Sequence, residues 1–424
     1  MTDIIIALLS LFSLALTMQA AYTVYIMLYT WDRPEAYERA MVPQPFRVPH
    51  KSFAVLLPAR HEEDVIQDTI ERVVQANYPR RLVEIVVVCE IGDVGTIRKA
   101  EEKIATLRMR GLENVRLIAF DDKPINKPHG LNAGFRNTGN EVVTIFDAED
   151  EIHPEIFNIV NTVMLQEGAK IVQSGVQLMN FDSSWYSTLN VLEYFFWFKS
   201  RLHYHASLGM IPLGGNTVFF AREVLDALGG WDESNLTEDA DVGIRISVLG
   251  EKVRVVYDDE YVTKEETPPT LGQFVKQRTR WSQGFLQTLK KGDWKKLDSL
   301  QKRLLAVYTL AFPSVQAVLA MYVPVSVWMM FSVKLPMPVA LLLLLPSYMV
   351  ITHYMVSVVG LYEFAGAHGL RPAFRTPLVM LLTYIPYQWV LAYAALRATL
   401  REIRGINNWE KTAHVGAHRH GKAA

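Results

Sequence analysis

Val142-Val143-Thr144-Ile145-Phe146-Asp147-Ala148-Glu149-Asp150 is an apolar run, rich in β-branched residues, that ends in three carboxylates. A short run of this kind, cut off by charge, is expected to be a buried strand whose carboxyl end opens into a polar loop. Towards the N-terminus three more such runs occur, at 53–58, 84–89 and 115–119. Between the first two, Val65, Ile66, Ile70, Val73 and Val74 recur at helical spacing. Strands alternating with helices predict an α/β domain with a parallel sheet covered on both faces. In such sheets ligands bind beyond the carboxyl ends of the strands. The charged loops 60–64, 90–93 and 147–151 all fall there.

Towards the C-terminus, 171–178 is expected to be one further strand, and the aromatic-rich 180–204 a helix near a membrane. Gly214-Gly215-Asn216 opens a turn before the apolar 217–220, and Gly229-Gly230 closes a short helix over 222–228.

The ends of the chain differ from its middle. Of 424 residues, 50% are hydrophobic and 21% charged, and the charge is concentrated centrally. A net charge of -1 and the lack of a basic run with interleaved aromatics give no sign of a nucleic-acid partner. Cys89, the single cysteine, excludes a disulfide framework and a cysteine-based zinc site. Residues 4–29 carry no charge and are long enough to cross a bilayer. The lack of a basic region before them, and their length, disfavour a cleaved signal peptide.

Arg33, Arg39, Arg47 and Lys51 follow this stretch, so the positive-inside rule places the N-terminus outside and the next domain in the cytoplasm. Pro43, Pro45 and Pro49 suggest an extended linker. Three apolar segments close the chain, at 304–333, 339–362 and 378–396. Pro313 and Pro324 suggest that the first is broken. Three full spans would put the C-terminus outside, against the basic Arg397, Arg401, Arg404, Lys411, Arg419 and Lys422. One of the three is therefore expected not to span. The expected division is an N-terminal transmembrane helix (1–31), a linker (32–52), a cytoplasmic domain (53–300), membrane and interfacial helices (301–400) and a basic tail (401–424).

Two motifs stand out within the domain. Thr237-Glu238-Asp239-Ala240-Asp241 places three carboxylates within four residues, and Gln277-Arg278-Thr279-Arg280-Trp281 places an amide, two cations and an indole on about one helical turn. In this order they resemble the T-E-D and Q-x-x-R-W motifs of membrane-bound glycosyltransferase family 2, which includes cellulose, hyaluronan and poly-N-acetylglucosamine synthases. The resemblance runs from about Val55 to Trp281.

It implies an α/β GT-A type glycosyltransferase domain with a mixed, mostly parallel sheet, flanked by transmembrane helices. The implied reaction is inverting transfer from a nucleotide-diphosphate sugar, expected to be a UDP-sugar, to a growing β-linked polysaccharide. Asp239 would be the base, with Glu238 beside it. Asp147 and Glu149 would hold Mg2+ or Mn2+, in a motif that departs from D-x-D and makes Asp150 a possible substitute for Glu149. Ala59, Arg60, Glu62, Glu90, Asp93, Lys127, Asp147, Gln277, Arg278 and Arg280 would surround the nucleotide sugar, with Asp93 preferred to Glu90 for the base. Gly215, Asn216 and Trp281 would meet the acceptor.

Plainer roles compete with some of these. The acidic loop at 147–150 also suits a helix N-terminus, Asp241 reads as a helix-start carboxylate, and His129 as a structural loop residue. The tail around Asn407-Asn408-Trp409 resembles that of some family members and would reach the site if cytoplasmic. The alternative activity is transfer of one or a few sugars to a lipid such as diacylglycerol, ceramide or a polyprenyl phosphate. A non-catalytic membrane receptor or channel on the same fold is a further alternative. Expected partners are the nucleotide sugar, a polysaccharide or lipid acceptor, membrane lipids and export or regulatory proteins.

Overall fold

The computed structural model describes residues 2–410. The basic tail beyond Glu410, including Lys411, Arg419 and Lys422, lies outside the described residues. Strands β1 (Phe53–Ala59), β2 (Val83–Glu90), β3 (Val115–Phe120) and β4 (Val142–Ile145) are mutually parallel in the order β3-β2-β1-β4. β5 (Ile171–Ser174) and β6 (Val176–Leu178) follow, then β7 (Val218–Ala221), β8 (Val253–Val256) and β9 (Thr263–Glu265). β7 runs antiparallel to both β4 and β5, and β8 joins β5, completing a seven-stranded mixed sheet.

The stretch expected to be one strand over 171–178 is two, because β6 leaves the sheet and pairs with β9 instead. Gly175 stands at the break. A Cβ there would lie 2.7 Å from the Tyr257 ring, so only glycine lets the chain turn past it.

Both faces of the parallel strands are apolar, as burial between two layers requires. Phe53, Val55, Leu57, Ile85 and Val87 pack on one side. Ala54, Leu56, Val86, Val88 and Val143 pack on the other, together with Leu131, Ala133 and Phe135. This second core continues without interruption into the membrane helices through Phe195, Phe196, Leu361, Phe364 and Tyr387.

Four helices are long and apolar enough to cross a membrane: α1 (Thr2–Met27), α6 (Leu300–Ser332), α7 (Met337–Ala367) and α8 (Thr376–Ile403). Contrary to the expectation from its prolines, α6 is unbroken, with Pro313 and Pro324 inside it. Neighbouring helices and local adjustments can satisfy the carbonyls that a proline frees in apolar surroundings.

Between β3 and β4 lies α2 (Lys127–Arg136). The 180–204 region contains α3 (Ser187–Phe196), followed by a π-helical turn, Trp197–Arg201. α4 (Glu238–Leu249) and α5 (Leu271–Lys291) carry the two motifs on their first turn and middle, respectively. α8 lies alongside the domain: Tyr387 meets Phe274 of α5 with ring centroids 5.7 Å apart, and Arg401 Nε donates to Gln283 Oε1 at 3.0 Å.

Candidate active site

Lys127 is the hub of the site. It opens α2, whose N-cap Asn126 accepts the His129 N–H at 3.0 Å and so fixes the start of the helix. The Lys127 ammonium lies 2.6 Å from Asp147 Oδ1 and 3.6 Å from Glu238 Oε1, and donates to the Gly215 carbonyl at 3.1 Å. Four segments far apart in sequence therefore meet at one cation. Burial opposes its charge, but Asp147 and Glu238 outweigh that and hold its pKa above the ordinary lysine value.

Glu238 and Asp239 occupy the first turn of α4, where the helix dipole favours negative charge. Burial raises the Glu238 carboxyl to about 7, against the pull of Lys127. Burial also raises Asp239, opposed by the Ala240 N–H, Lys127 and Arg280. A carboxylate with a raised pKa is a better proton acceptor once ionised. A Cβ at Gly215 would stand 3.3 Å from Asp239 Oδ2, so the glycine turn runs directly beside this carboxylate. At Gly284 a Cβ would meet Thr237 Oγ1 at 2.3 Å, which shows how closely the start of α4 seats on α5.

Asp147 and Glu149 face a pocket of about 130 Å³ that is also lined by Ala59, Arg60, Glu62, Glu90, Lys127 and Arg280. Two carboxylates beside this pocket suit a hard divalent ion that shares its remaining positions with phosphate oxygens. Asp150 does not join them. It is fully buried and accepts from the Asp147 N–H at 2.8 Å and from Asn216 Nδ2 at 2.9 and 3.0 Å. Asn216 bonds both Asp150 and Glu265, which ties it to the acidic loop, and with Gly215 and Trp281 it lines a second cavity.

The remaining expected residues divide. Asp93 does not line the pocket; it caps the helix Val94–Met109 and accepts from the Thr96 N–H at 3.3 Å and the His61 N–H at 2.6 Å. Glu90 does line it. His61, Glu63 and Asp93 bring ligand atoms within 4.8 Å of one another, but none of the three lines the pocket. Arg280 lines the pocket with its guanidinium 4.5 Å over the Trp409 ring, so the tail does reach the site. Arg278 points elsewhere: it lies 2.5 Å from Glu193 Oε2 and also bonds Asn190. Gln277 is buried and lines neither cavity. His129, as expected of a structural residue, is buried against Glu233 at 2.8 Å. Asp241 is held by Arg245 at 2.8 Å and Lys291 at 2.7 Å, a structural pairing.

A second cavity, of about 470 Å³, opens at Asp239, Gly215 and Trp281. It extends between α1, α6, α7 and α8 and is walled mainly by apolar residues such as Leu192, Phe198, Leu319, Val323, Val350 and Leu391. No motif announced it. Glu265 was also missed: burial and the neighbouring Glu149 raise its carboxyl to about 8, yet its three-residue strand carries no pattern of its own.

Residues 49–284 match the sequence profile described as glycosyltransferase like family 2. The chain is 28% identical over 244 residues to the probable glycosyltransferase YdaM of Bacillus subtilis (strain 168), covering 54% of each chain. It is 26% identical over 246 residues to a beta-monoglucosyldiacylglycerol synthase of Synechocystis sp. (strain ATCC 27184 / PCC 6803 / Kazusa), covering 57% of this chain and 49% of that one. It thus spans about half the length of these two relatives. A poly-beta-1,6-N-acetyl-D-glucosamine synthase of Staphylococcus epidermidis is 22% identical over 299 residues, covering 70% of this chain and 68% of that one. Among solved structures, a mannosyltransferase from Pyrobaculum calidifontis in complex with GDP-Man and Mn2+ superposes with a TM-score of 0.52 at 17% identity, covering 94% of this chain and 99% of that one.

Proposed function

The chain belongs to glycosyltransferase-like family 2, and from that premise we propose that it transfers a sugar, with inversion, from a nucleotide-diphosphate sugar to a hydroxyl of a membrane-held lipid. The observation that carries the acceptor class is the apolar cavity that opens at Asp239 and runs between the membrane helices. A lipid tail suits the walls of Leu319, Val323 and Val350, side chains that offer a hydrated sugar chain no hydrogen bonds.

The donor occupies the smaller pocket. Asp147 and Glu149 would hold a divalent ion, Mg2+ or Mn2+, and it would supply positive charge against the leaving diphosphate. Arg280 and Lys127 supply further positive charge to the same group. The acceptor hydroxyl comes from the larger cavity, beside Asp239. Its oxygen forms the new bond to the anomeric carbon from the face opposite the leaving group. The old carbon–oxygen bond breaks with its electron pair going to the diphosphate. The hydroxyl proton passes to Asp239. Glu238 holds Lys127 in place from the other side.

A polysaccharide acceptor is the second reading, favoured by the aromatic rings of Trp281, Tyr194 and Trp197 along the same cavity. Purified membranes given a panel of radiolabelled nucleotide sugars, with UDP-sugars first, test both. Label that extracts into organic solvent with one or two sugars supports the lipid acceptor. Label that stays in water as a long chain supports the polymer.

We place the catalytic domain on the cytoplasmic side, with α8 lying at the interface as the segment that does not span. Its end meets α5 through Gln283, and the following Trp409 lines the donor pocket, which keeps residue 410 on the domain's side. The basic residues of the tail then stay inside. Modification of cysteines introduced at Lys334 and Arg371 by a membrane-impermeant reagent on intact cells tests this. Labelling at Lys334 and protection at Arg371 are expected, and the reverse pattern refutes the arrangement.

A further inference from the structure

Arg201 closes the π-helical turn after α3, where an extra residue per turn re-aims the side chains. Its guanidinium lines the larger cavity and lies 5.5 Å over the Phe312 ring of α6. Among the described residues it forms no ion pair and no side-chain hydrogen bond, and its Nε is buried without a partner. The neighbouring cations differ. Lys199, two residues earlier, pairs with Asp259 at 3.0 Å and Glu363 at 3.1 Å. Arg278, in the same cavity, is held by Glu193 and Asn190. Glu193, the carboxylate on the adjacent helix, is therefore already engaged. A guanidinium left unpaired beside apolar walls is costly unless an anion joins it.

We propose that the cavity takes a lipid whose headgroup carries a phosphodiester, gripped by Arg201, and a free hydroxyl that is presented to Asp239. This rests on the lipid-acceptor reading above and narrows it from lipids in general to anionic phospholipids. The apolar walls accept the acyl chains, the guanidinium matches the phosphate, and the base stands at the cavity mouth. A neutral diacylglycerol offers nothing to Arg201. A polyprenyl monophosphate offers an anion but no separate hydroxyl for Asp239 to deprotonate.

The full-length protein is placed in nanodiscs containing phosphatidylglycerol, diacylglycerol or a polyprenyl monophosphate in a zwitterionic background, and the initial rate of sugar transfer into the organic phase is measured. Phosphatidylglycerol should be preferred to diacylglycerol by about tenfold or more, the scale of one charge-assisted hydrogen bond. Arg201→Gln should raise the phosphatidylglycerol KM by a similar factor, leave the nucleotide-sugar KM unchanged and retain less anionic lipid through purification, as read by mass spectrometry. Arg201→Lys should recover part of the loss. Equal rates with phosphatidylglycerol and diacylglycerol overturn the proposal, and the wild type alone reads this should the variants fail to fold. So does use of the polyprenyl monophosphate alone, or an unchanged acceptor KM in Arg201→Gln. A water-soluble polymer as the only product defeats the lipid-acceptor reading as well, and is recognised by its partition before any lipid is compared.

Discussion

The two cavities approach each other at Gly215, which lines the larger and accepts from Lys127 of the smaller, and they are built on opposite principles. The donor pocket is small and crowded with charge. Lys127 alone ties together Asp147, Glu238 and the Gly215 carbonyl, and Arg280 closes the rim against Trp409. The acceptor cavity is more than three times larger and mostly apolar, with side chains drawn from α1, α3 and three C-terminal helices. In the roles proposed for them, the first would recognise its ligand by charge fixed in advance, so one displaced atom matters, and the second by shape and exclusion of water, which many residues share. Substitutions should therefore have steep effects on one side of Asp239 and graded effects on the other.

The largest effect is expected at the junction. Asp239→Asn should lower transfer about 10²–10⁴-fold, the usual range for losing a general base, and leave nucleotide binding nearly intact. Near-normal turnover would remove Asp239 from this role. Next comes Asp147→Ala, which loses one hard ligand and one charge. Divalent-dependent nucleotide binding, measured by calorimetry with and without chelator, should disappear; an affinity indifferent to both would make 147–150 ordinary surface.

On the acceptor side, Trp281→Ala should raise the acceptor KM by about tenfold, the scale of one lost aromatic contact. The donor KM should hold, and hydrolysis of the nucleotide sugar by water should persist. Equal loss of both affinities would show that the cavities are not separate in function.

The smallest effect is expected in the tail. Arg397 bonds Glu410 through both carboxylate oxygens at 2.7 and 2.6 Å, one residue beyond Trp409. A partly exposed pair of this kind is worth at most about 1 kcal/mol, so Glu410→Gln should raise the donor KM only about two- to fivefold. Arg397 also holds the Glu410 carboxyl below its ordinary value of 4.5. The clamp is then at full strength above that value and weakens as pH falls through the lowered one. Wild-type and Glu410→Gln donor affinities should converge in acid; a gap independent of pH would place the effect elsewhere.

The same contrast governs what the sequence discloses. Acids at strand ends, Lys127 before Pro128 and the motif at 237–241 are short contiguous signals, because each strand or helix end presents several neighbours to one ligand. They locate the charged loops that line the smaller pocket and the strands that carry them. Directions of side chains are less legible. Asp150 and Glu149 are adjacent, yet one turns inward to Asn216 and the other lines the pocket. Arg278 and Arg280 are two apart on α5, and about 200° of helical rotation sends them to different cavities. The acceptor cavity has no local signature at all. Leu319, Val350 and Leu391 read as ordinary membrane residues until three helices bring them together. Likewise Gly175 carries no sign of the Tyr257 ring that makes it a break between strands.

The attachment of the tail to α8 joins the donor pocket to the thickness of the bilayer. Residues 405–410 follow α8 directly, and Trp409 among them walls the pocket. A spanning helix answers a thicker or thinner hydrocarbon layer by tilting, and α6, bonded to α8 through Gln316 Nε2 and Gln388 Oε1 at 2.7 Å, passes that tilt to α8. Tilt of α8 shifts where Trp409 meets Arg280, so lipid chain length becomes a hypothetical regulator of substrate residence. Nucleotide dissociation rates in nanodiscs of short- and long-chain lipids measure it, and identical rates would show the joint to be mechanically slack.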